Sequence, residues 1–288
     1  MIYWEKQEVT DLELIEFIKA IIYGIVEGIT EWLPVSSTGH LILLSDFLPM
    51  KVSEDFWNVF LVVIQLGAIL AVVVYFWQKI WPFNTRVKNK PFLRYDVLNL
   101  WCKIIVACLP AAIVGVLLDD WVDAHLYNST VVAIMLIVVG IAFLIVERSE
   151  YVRYPRVTRL RELTYKDALI IGIFQVIAAV LPGTSRSGAT IIGGLLNGVD
   201  RTTSAEFTFF LAIPVMAGAS LLKIIKSDLE FTGGEMIILA IGVIVSFGVS
   251  LACIRFLMNY VKKHDFKVFG LYRIVLGLIV LAYFTFLK

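Results

Sequence analysis

The chain has 288 residues, 59% of them apolar, with a formal net charge of +1 and a mean hydropathy of +0.86. Soluble proteins average roughly 45–50% apolar residues, so the composition excludes a soluble globular domain and predicts an all-α polytopic membrane protein. The near-zero charge, without a basic domain or tail, excludes a nucleic-acid partner.

Residues 1–11 are polar and read as a surface segment, with Trp4 at the membrane interface. Glu5, Glu8, Asp11 and Glu13 stand where a cleaved signal would carry positive charge, so the apolar run that follows is expected to belong to the mature protein. That run, Leu12 to Leu33, stops at Pro34 and is followed by a short apolar run, Leu41 to Phe47. Crossing a bilayer takes about 20 helical residues, and the second run is too short. Residues 12–48 therefore predict a re-entrant hairpin, whose non-helical break must be enclosed by protein or line a cavity.

Full spans follow near 57–77, 99–118 and 129–147. Residues 166–199 then repeat the opening: an apolar run, the break Pro182-Gly183-Thr184-Ser185-Arg186-Ser187-Gly188, and a short glycine-rich run. Three more spans come near 206–225, 236–258 and 269–287. The chain thus reads as one integral membrane domain of two repeats, about 12–148 and 165–288, each with one hairpin and three crossings. Three is odd, so the second repeat is inverted relative to the first, a plan common in transporters. Aligning Gly24–Glu27 with Gly172–Gln175 brings Leu33-Pro34 onto Leu181-Pro182 and Ser37 onto Ser185.

Charge predicts the orientation. The connection 78–98 carries Lys79, Arg86, Lys88, Lys90 and Arg94, and 148–168 carries Arg148, Arg153, Arg156, Arg159, Arg161 and Lys166. Lys262, Lys263 and Lys267 fall on the same side, whereas 119–128, with Asp119, Asp120 and Asp123, has no Lys or Arg. The positive-inside rule places the basic loops in the cytoplasm. Both termini and the opening of the first hairpin are then expected on the outer face, and the second hairpin on the inner. Lys103, Glu206, Lys223, Arg255 and Arg273 fall near or within spans; most are close enough to a boundary to snorkel, and all read as structural. Cys102, Cys108 and Cys253 stand singly in apolar runs, without zinc-site or disulfide spacing, and read as buried small hydrophobes.

The two breaks carry the chemistry. An ionised carboxylate at membrane depth costs roughly 3 kcal/mol, yet Glu27 and Glu31 sit four residues apart in an apolar run. On a helix their Cβ atoms are about 6 Å apart, so one is protonated or a cation lies between them. A divalent metal fits, because Mg²⁺ is usually held by one or two carboxylates with substrate phosphates. The small residues Ser36, Ser37, Thr38 and Gly39 lead into a helix N-terminus, a ready anion site; the plainer reading is that their hydroxyls cap that helix. His40, close to two acids and two hydroxyls, is suited to moving a proton near neutral pH. His125 and His264 lie in connections and receive no role. Arg186, between Ser185 and Ser187, keeps its charge and offers a planar fork suited to phosphate. Its alternative partner is Glu27 or Glu31 across the pseudo-twofold axis. Thr190, one turn on, adds a hydroxyl.

At these loops the chain resembles the bacterial undecaprenyl-diphosphate phosphatase family of the bacitracin-resistance type. The resemblance rests on Glu27-x-x-x-Glu31, on Leu33-Pro34-Val35-Ser36-Ser37-Thr38-Gly39-His40 and on Pro182 to Thr190, with Gln65 to Val72 in support, and runs from about residue 15 almost to the end. Trp32 stands where the family usually has Phe, a change expected to alter packing more than chemistry. The resemblance implies a membrane hydrolase of the bacterial plasma membrane. It would remove the terminal phosphate of a C55 polyprenyl diphosphate with a divalent cation, Mg²⁺ or Ca²⁺, at a site open to the outer face. The product recycles the lipid carrier of cell-wall synthesis. A homodimer is compatible with it.

On this reading Glu27 and Glu31 place the metal. Arg186 and the loop amides hold the diphosphate, with Ser36, Thr38, Gly39, Ser185, Ser187 and Thr190 around it. Ser37 attacks with His40 or Glu31 as base, while attack by water or by His40 stays open. Gln175 and Ala179 replace the two acids in the second repeat, which predicts one active centre. Two other readings are a polyprenyl-phosphate transporter or flippase on the same inverted repeat and a structural subunit; the last leaves the buried charge unexplained.

Overall fold

The computed structural model describes residues 2–84, 91–226 and 231–286; the basic residues Arg86, Lys88 and Lys90 lie outside them. The chain opens with α1 (Ile2–Thr30), a break, and the short α2 (Ser37–Phe47). After these come α3 (Glu54–Tyr75), one-turn α4 (Trp77–Ile80), α5 (Tyr95–His125), α6 (Ser129–Val146) and one-turn α7 (Glu150–Arg153). The second half repeats the order with α8 (Tyr165–Val180), a break, short α9 (Arg186–Leu196), α10 (Arg201–Lys226), α11 (Gly233–Tyr260) and α12 (Lys267–Phe286). No strand occurs among the described residues, only two isolated bridges, Phe83 with Leu93 and Val157 with Val199.

Among the described residues six helices, α3, α5, α6, α10, α11 and α12, are long and apolar enough to cross a membrane. They coincide with the six expected spans, but α5 runs on to His125 and absorbs most of the acidic connection. Helicity also reaches back through the polar N-terminal residues to Ile2. By contrast α2 and α9 have 11 residues each, about 16 Å of helix, too little to cross.

The helix starts carry their own capping signals. Ser53 caps α3 through the Phe56 amide, Asn128 caps α6 through Val131, and Thr164 with Asp167 forms a reciprocal box at the start of α8. Each satisfies backbone donors that a helix N-terminus leaves free.

Packing follows an exchange pattern: α1 lies on α11 as α8 lies on α5, and α2 reaches α12 as α9 reaches α6. Glycine permits the close approach. A Cβ on Gly24 would come within 2.8 Å of the Gly242 carbonyl oxygen and one on Gly28 within 2.9 Å of that of Ser246, while Gly172 rests directly on the Ala107 carbonyl. These contacts fix the height of each break relative to the long helices.

At one end, ion pairs tie the basic connections to the helices: Lys79 with Glu206, Arg156 with Asp167, and Arg201 with Glu147. Two open clefts beside α4, about 450 and 790 Å³, lie at this end and contain none of the break residues. Of the three cysteines only Cys253 is buried; Cys108 is partly exposed and Cys102 exposed, so the expectation of three core thiols fails. Helix α5 turns much of its apolar surface outward, and Cys102 belongs to that face.

Candidate active site

Pro34 has no amide hydrogen to continue the ladder of α1, and the chain turns through 31–36 before α2 begins. Ser36 is the N-cap of α2, with its Oγ accepting from the Gly39 amide at 3.4 Å; Ser185 is the N-cap of α9, accepting from Gly188 at 3.2 Å. Both hold positive φ, 75° and 70°, the only two non-glycine residues to do so among the described residues. Left-handed backbone at a residue with a Cβ costs on the order of 1–3 kcal/mol and concentrates at functional sites.

The matched caps revise the internal alignment. Ser36, not Ser37, is the counterpart of Ser185, because the second break has one more residue between its proline and its cap. Gly183, at φ 88°, accommodates that extra residue against the Val132 backbone. The counterpart of Ser37 is therefore Arg186. Each is the first residue of its short helix, where free amides and the helix dipole favour an anion.

Glu31 joins the two. Its Oε2 accepts a hydrogen bond from Ser37 Oγ at 2.9 Å, and its Oε1 accepts from an Arg186 terminal nitrogen, also at 2.9 Å. Glu31 is 9% exposed, so this ion pair is little screened. Arg186 also donates to the Thr208 carbonyl at 3.2 Å and stands 6.0 Å from the Trp32 ring centroid, within cation–π range. Trp32 is itself wedged edge-on against Phe209. Trp32 thus touches Arg186 as well as the core.

Glu27 is fully buried, and neither carboxylate oxygen has a hydrogen-bond partner. No group of three or more His, Cys, Asp or Glu gathers among the described residues. A divalent cation nevertheless fits the chemistry: one orphaned carboxylate and a second one turn away match an ion that takes its other ligands from phosphate oxygens. The counterpart of Glu27, Gln175, is equally buried and equally unpartnered, but neutral.

The remaining candidates divide. Ser37, Thr38 and His40 are partly exposed. Ser187 Oγ reaches the Glu31 and Leu33 carbonyls at 3.3 and 3.4 Å and Ser185 Oγ at 3.1 Å, stitching one break to the other. Gly39 is buried, with α6 Leu136 3.0 Å from where a Cβ would stand, so it answers to packing. Thr190 is turned away: its hydroxyl donates back to the Arg186 carbonyl at 2.9 Å and accepts from Thr208.

His40 is tied off as well. Nδ1 lies 2.7 Å from the Ser36 carbonyl, which can only accept, so Nδ1 carries the hydrogen. Nε2 lies 2.7 Å from the Tyr272 hydroxyl, and the two rings stack with centroids 5.7 Å apart. In neutral His40 the basic lone pair is therefore occupied by Tyr272, and no hydrogen bond links the imidazole to Ser37.

Arg273 departs furthest from expectation. It does not snorkel; it is fully buried, donating to the carbonyls of Pro34 (3.1 Å), Gly183 (2.8 Å), Thr184 (2.9 Å) and Met135 (3.5 Å). Neither Arg273 nor Tyr272 belongs to a break, and nothing local in the sequence links them to one. The one available signal in the sequence is an arginine within the last apolar span, with glycines at 270 and 277.

Residues 20–279 match the family model described as bacitracin resistance protein BacA. A protein of Enterococcus faecalis named undecaprenyl-diphosphatase is 55% identical, the match covering 94% of this chain and 98% of that one. The undecaprenyl-diphosphatase of Desulfitobacterium hafniense is 56% identical, over 95% and 98% of the two chains. Undecaprenyl-diphosphatase 1 of Clostridium acetobutylicum is 57% identical, over 95% and 99%. With the match spanning nearly the whole sequence and both breaks, the chain belongs to the bacitracin resistance protein BacA family.

Proposed function

We propose that the protein is a membrane-embedded undecaprenyl-diphosphatase, cleaving undecaprenyl diphosphate to undecaprenyl phosphate and orthophosphate and so recycling the carrier lipid for cell-wall synthesis. The observation that carries the chemistry is the bridge Ser37–Glu31–Arg186, in which one carboxylate holds the first residue of each short helix. Phosphoryl transfer needs mainly positioning and charge neutralisation, and this bridge offers both.

In the proposed reaction Ser37 Oγ attacks the terminal phosphorus while its proton passes to Glu31 Oε2. The bond from that phosphorus to the bridging oxygen breaks and undecaprenyl phosphate leaves. Once protonated, Glu31 holds Arg186 less strongly, and the guanidinium turns to the charge on the phosphoryl group. Water then attacks the phosphoserine, the proton held on Glu31 Oε2 passes to the Ser37 oxygen as the ester breaks, and both water protons leave on the orthophosphate as H2PO4⁻, so Glu31 is again a carboxylate. Glu31 Oε2 is the atom placed to take and return these protons, which favours it over His40 as base. Glu27, with Glu31, would hold a divalent cation, whose contribution is to neutralise phosphate charge.

The concentration of Lys and Arg in the ion-paired loops supports a cytoplasmic position for that end, with the first hairpin re-entering from the outer face. The exchange packing of α1 on α11 and α8 on α5 equally suits a lipid transporter, and detergent separates the two readings. Orthophosphate release from undecaprenyl diphosphate in micelles, abolished by Glu31→Ala and reduced by chelation of divalent cations, is the expected result. Absence of release from wild-type protein, with movement of lipid phosphate in liposomes, would favour transport.

A further inference from the structure

We infer that Arg273 is a positioning residue for the reaction, holding both breaks in the strained form that brings Ser37 and Arg186 onto Glu31. The inference rests on the assignment of those three residues to the active site. Arg273 is the largest fully buried ionic side chain among the described residues, and its partners are backbone carbonyls, with no carboxylate among them. A buried cation without an anion is expensive, so a purely packing role would be better filled by an apolar side chain.

The carbonyls it grips explain the choice. Pro34 lies two residues before the positive-φ cap Ser36, and Gly183 and Thr184 are the two residues before the positive-φ cap Ser185. One planar guanidinium thus reaches both turns, while its fourth carbonyl, from Met135, anchors it to α6. Its Nη1 also lies 3.3 Å from where a Cβ on Gly188 would stand, beneath the first turn of α9. If either turn relaxes, the first residue of its helix moves relative to Glu31. Lysine keeps the charge but cannot reproduce a fork that spans two turns.

The test uses the full chain in detergent micelles with undecaprenyl diphosphate, comparing wild type, Arg273→Lys and Arg273→Ala, with Ser37→Ala in parallel. Because displacement of about 1 Å costs on the order of a hundredfold, Arg273→Lys is expected to lose at least about that factor in kcat. Its KM should stay within about threefold, the pattern of an interaction felt in the transition state. Fluorescence and elution should match the folded wild type. Guanidinium ion added to Arg273→Ala should restore activity, and methylammonium should not. Three results would overturn the inference: wild-type kcat in Arg273→Lys, equal rescue by methylammonium, or unfolding of Arg273→Lys, which would make Arg273 a residue of global stability. Wild-type activity in Ser37→Ala would instead remove the underlying site assignment.

Discussion

Ser37 and Glu31 are joined by a 2.9 Å hydrogen bond that spans the break between α1 and α2, with Ser37 as donor. This contact exists only because Pro34 ends the first helix and Ser36 turns the chain back through positive φ. It places the hydroxyl proposed as nucleophile beside the carboxylate proposed as its base before any substrate arrives. Glu31→Gln leaves the shape and removes the base, so kcat should fall by about 10² to 10⁴. Measured orthophosphate release from Glu31→Gln within a few-fold of wild type would remove Glu31 from that role.

Arg186 is held in the same bridge by the other Glu31 oxygen and by the Thr208 carbonyl. Lysine there keeps a point charge and loses the fork. Arg186→Lys should cost about 10² in kcat/KM and Arg186→Ala about 10³, the scale of removing a preorganised donor from developing charge. Steady-state kinetics in micelles reads the ranking, and equal activity of the two would count against bidentate use.

His40 tests the difference between proton transfer and support. Asparagine can place an amide hydrogen near the position of Nδ1 and keep the bond to the Ser36 carbonyl, whereas alanine cannot. His40→Asn is expected within about tenfold of wild type, a change of about 1.4 kcal/mol in the barrier, with His40→Ala clearly lower. If both variants are equally inactive, the imidazole itself is needed. Tyr272→Phe, which frees Nε2, should remain active.

Asp167 supplies a pH dependence at the basic end. Burial alone would raise its carboxyl, but Arg156, the Thr164 amide and hydroxyl, and Asn197 outweigh it and hold the pKa at about 2. The folded value lies below the unfolded one of about 3.9, so the contribution is complete above that unfolded value and disappears as pH falls through about 2. Arg156 is half exposed, which screens its share. Asp167→Asn should therefore destabilise by about 2 kcal/mol at neutral pH. In thermal melts the gap from wild type should narrow steadily below about pH 4; a gap independent of pH would show that the carboxylate charge is immaterial.

The breaks were legible in the sequence because polarity at membrane depth is conspicuous: Glu31, Ser37 and Arg186 announce themselves against apolar flanks. The six spans were legible from length and hydropathy alone. What pairs with what was not. The one-residue difference between the breaks is invisible until two serines are seen in the same φ, so the sequence aligns Ser37 with Ser185 although its structural counterpart is Arg186. Thr190 was drawn into the site by its spacing, yet spacing does not reveal that its hydroxyl bonds back along its own helix. Tyr272 and Arg273 lie more than eighty residues from either break, and only the packing of α12 on α6 and α2 brings them there.

Whether the two breaks form one phosphoryl-transfer centre is tested most directly by trapping the intermediate. Wild-type protein would be mixed with undecaprenyl diphosphate labelled in its terminal phosphate, quenched in denaturant at neutral to mildly alkaline pH, which preserves phosphoserine and phosphohistidine alike, and mapped by peptide mass spectrometry. The label is expected on Ser37 in wild type and absent in Ser37→Ala. Recovery of the phosphoryl group on His40, or labelling that survives Ser37→Ala, would contradict the account.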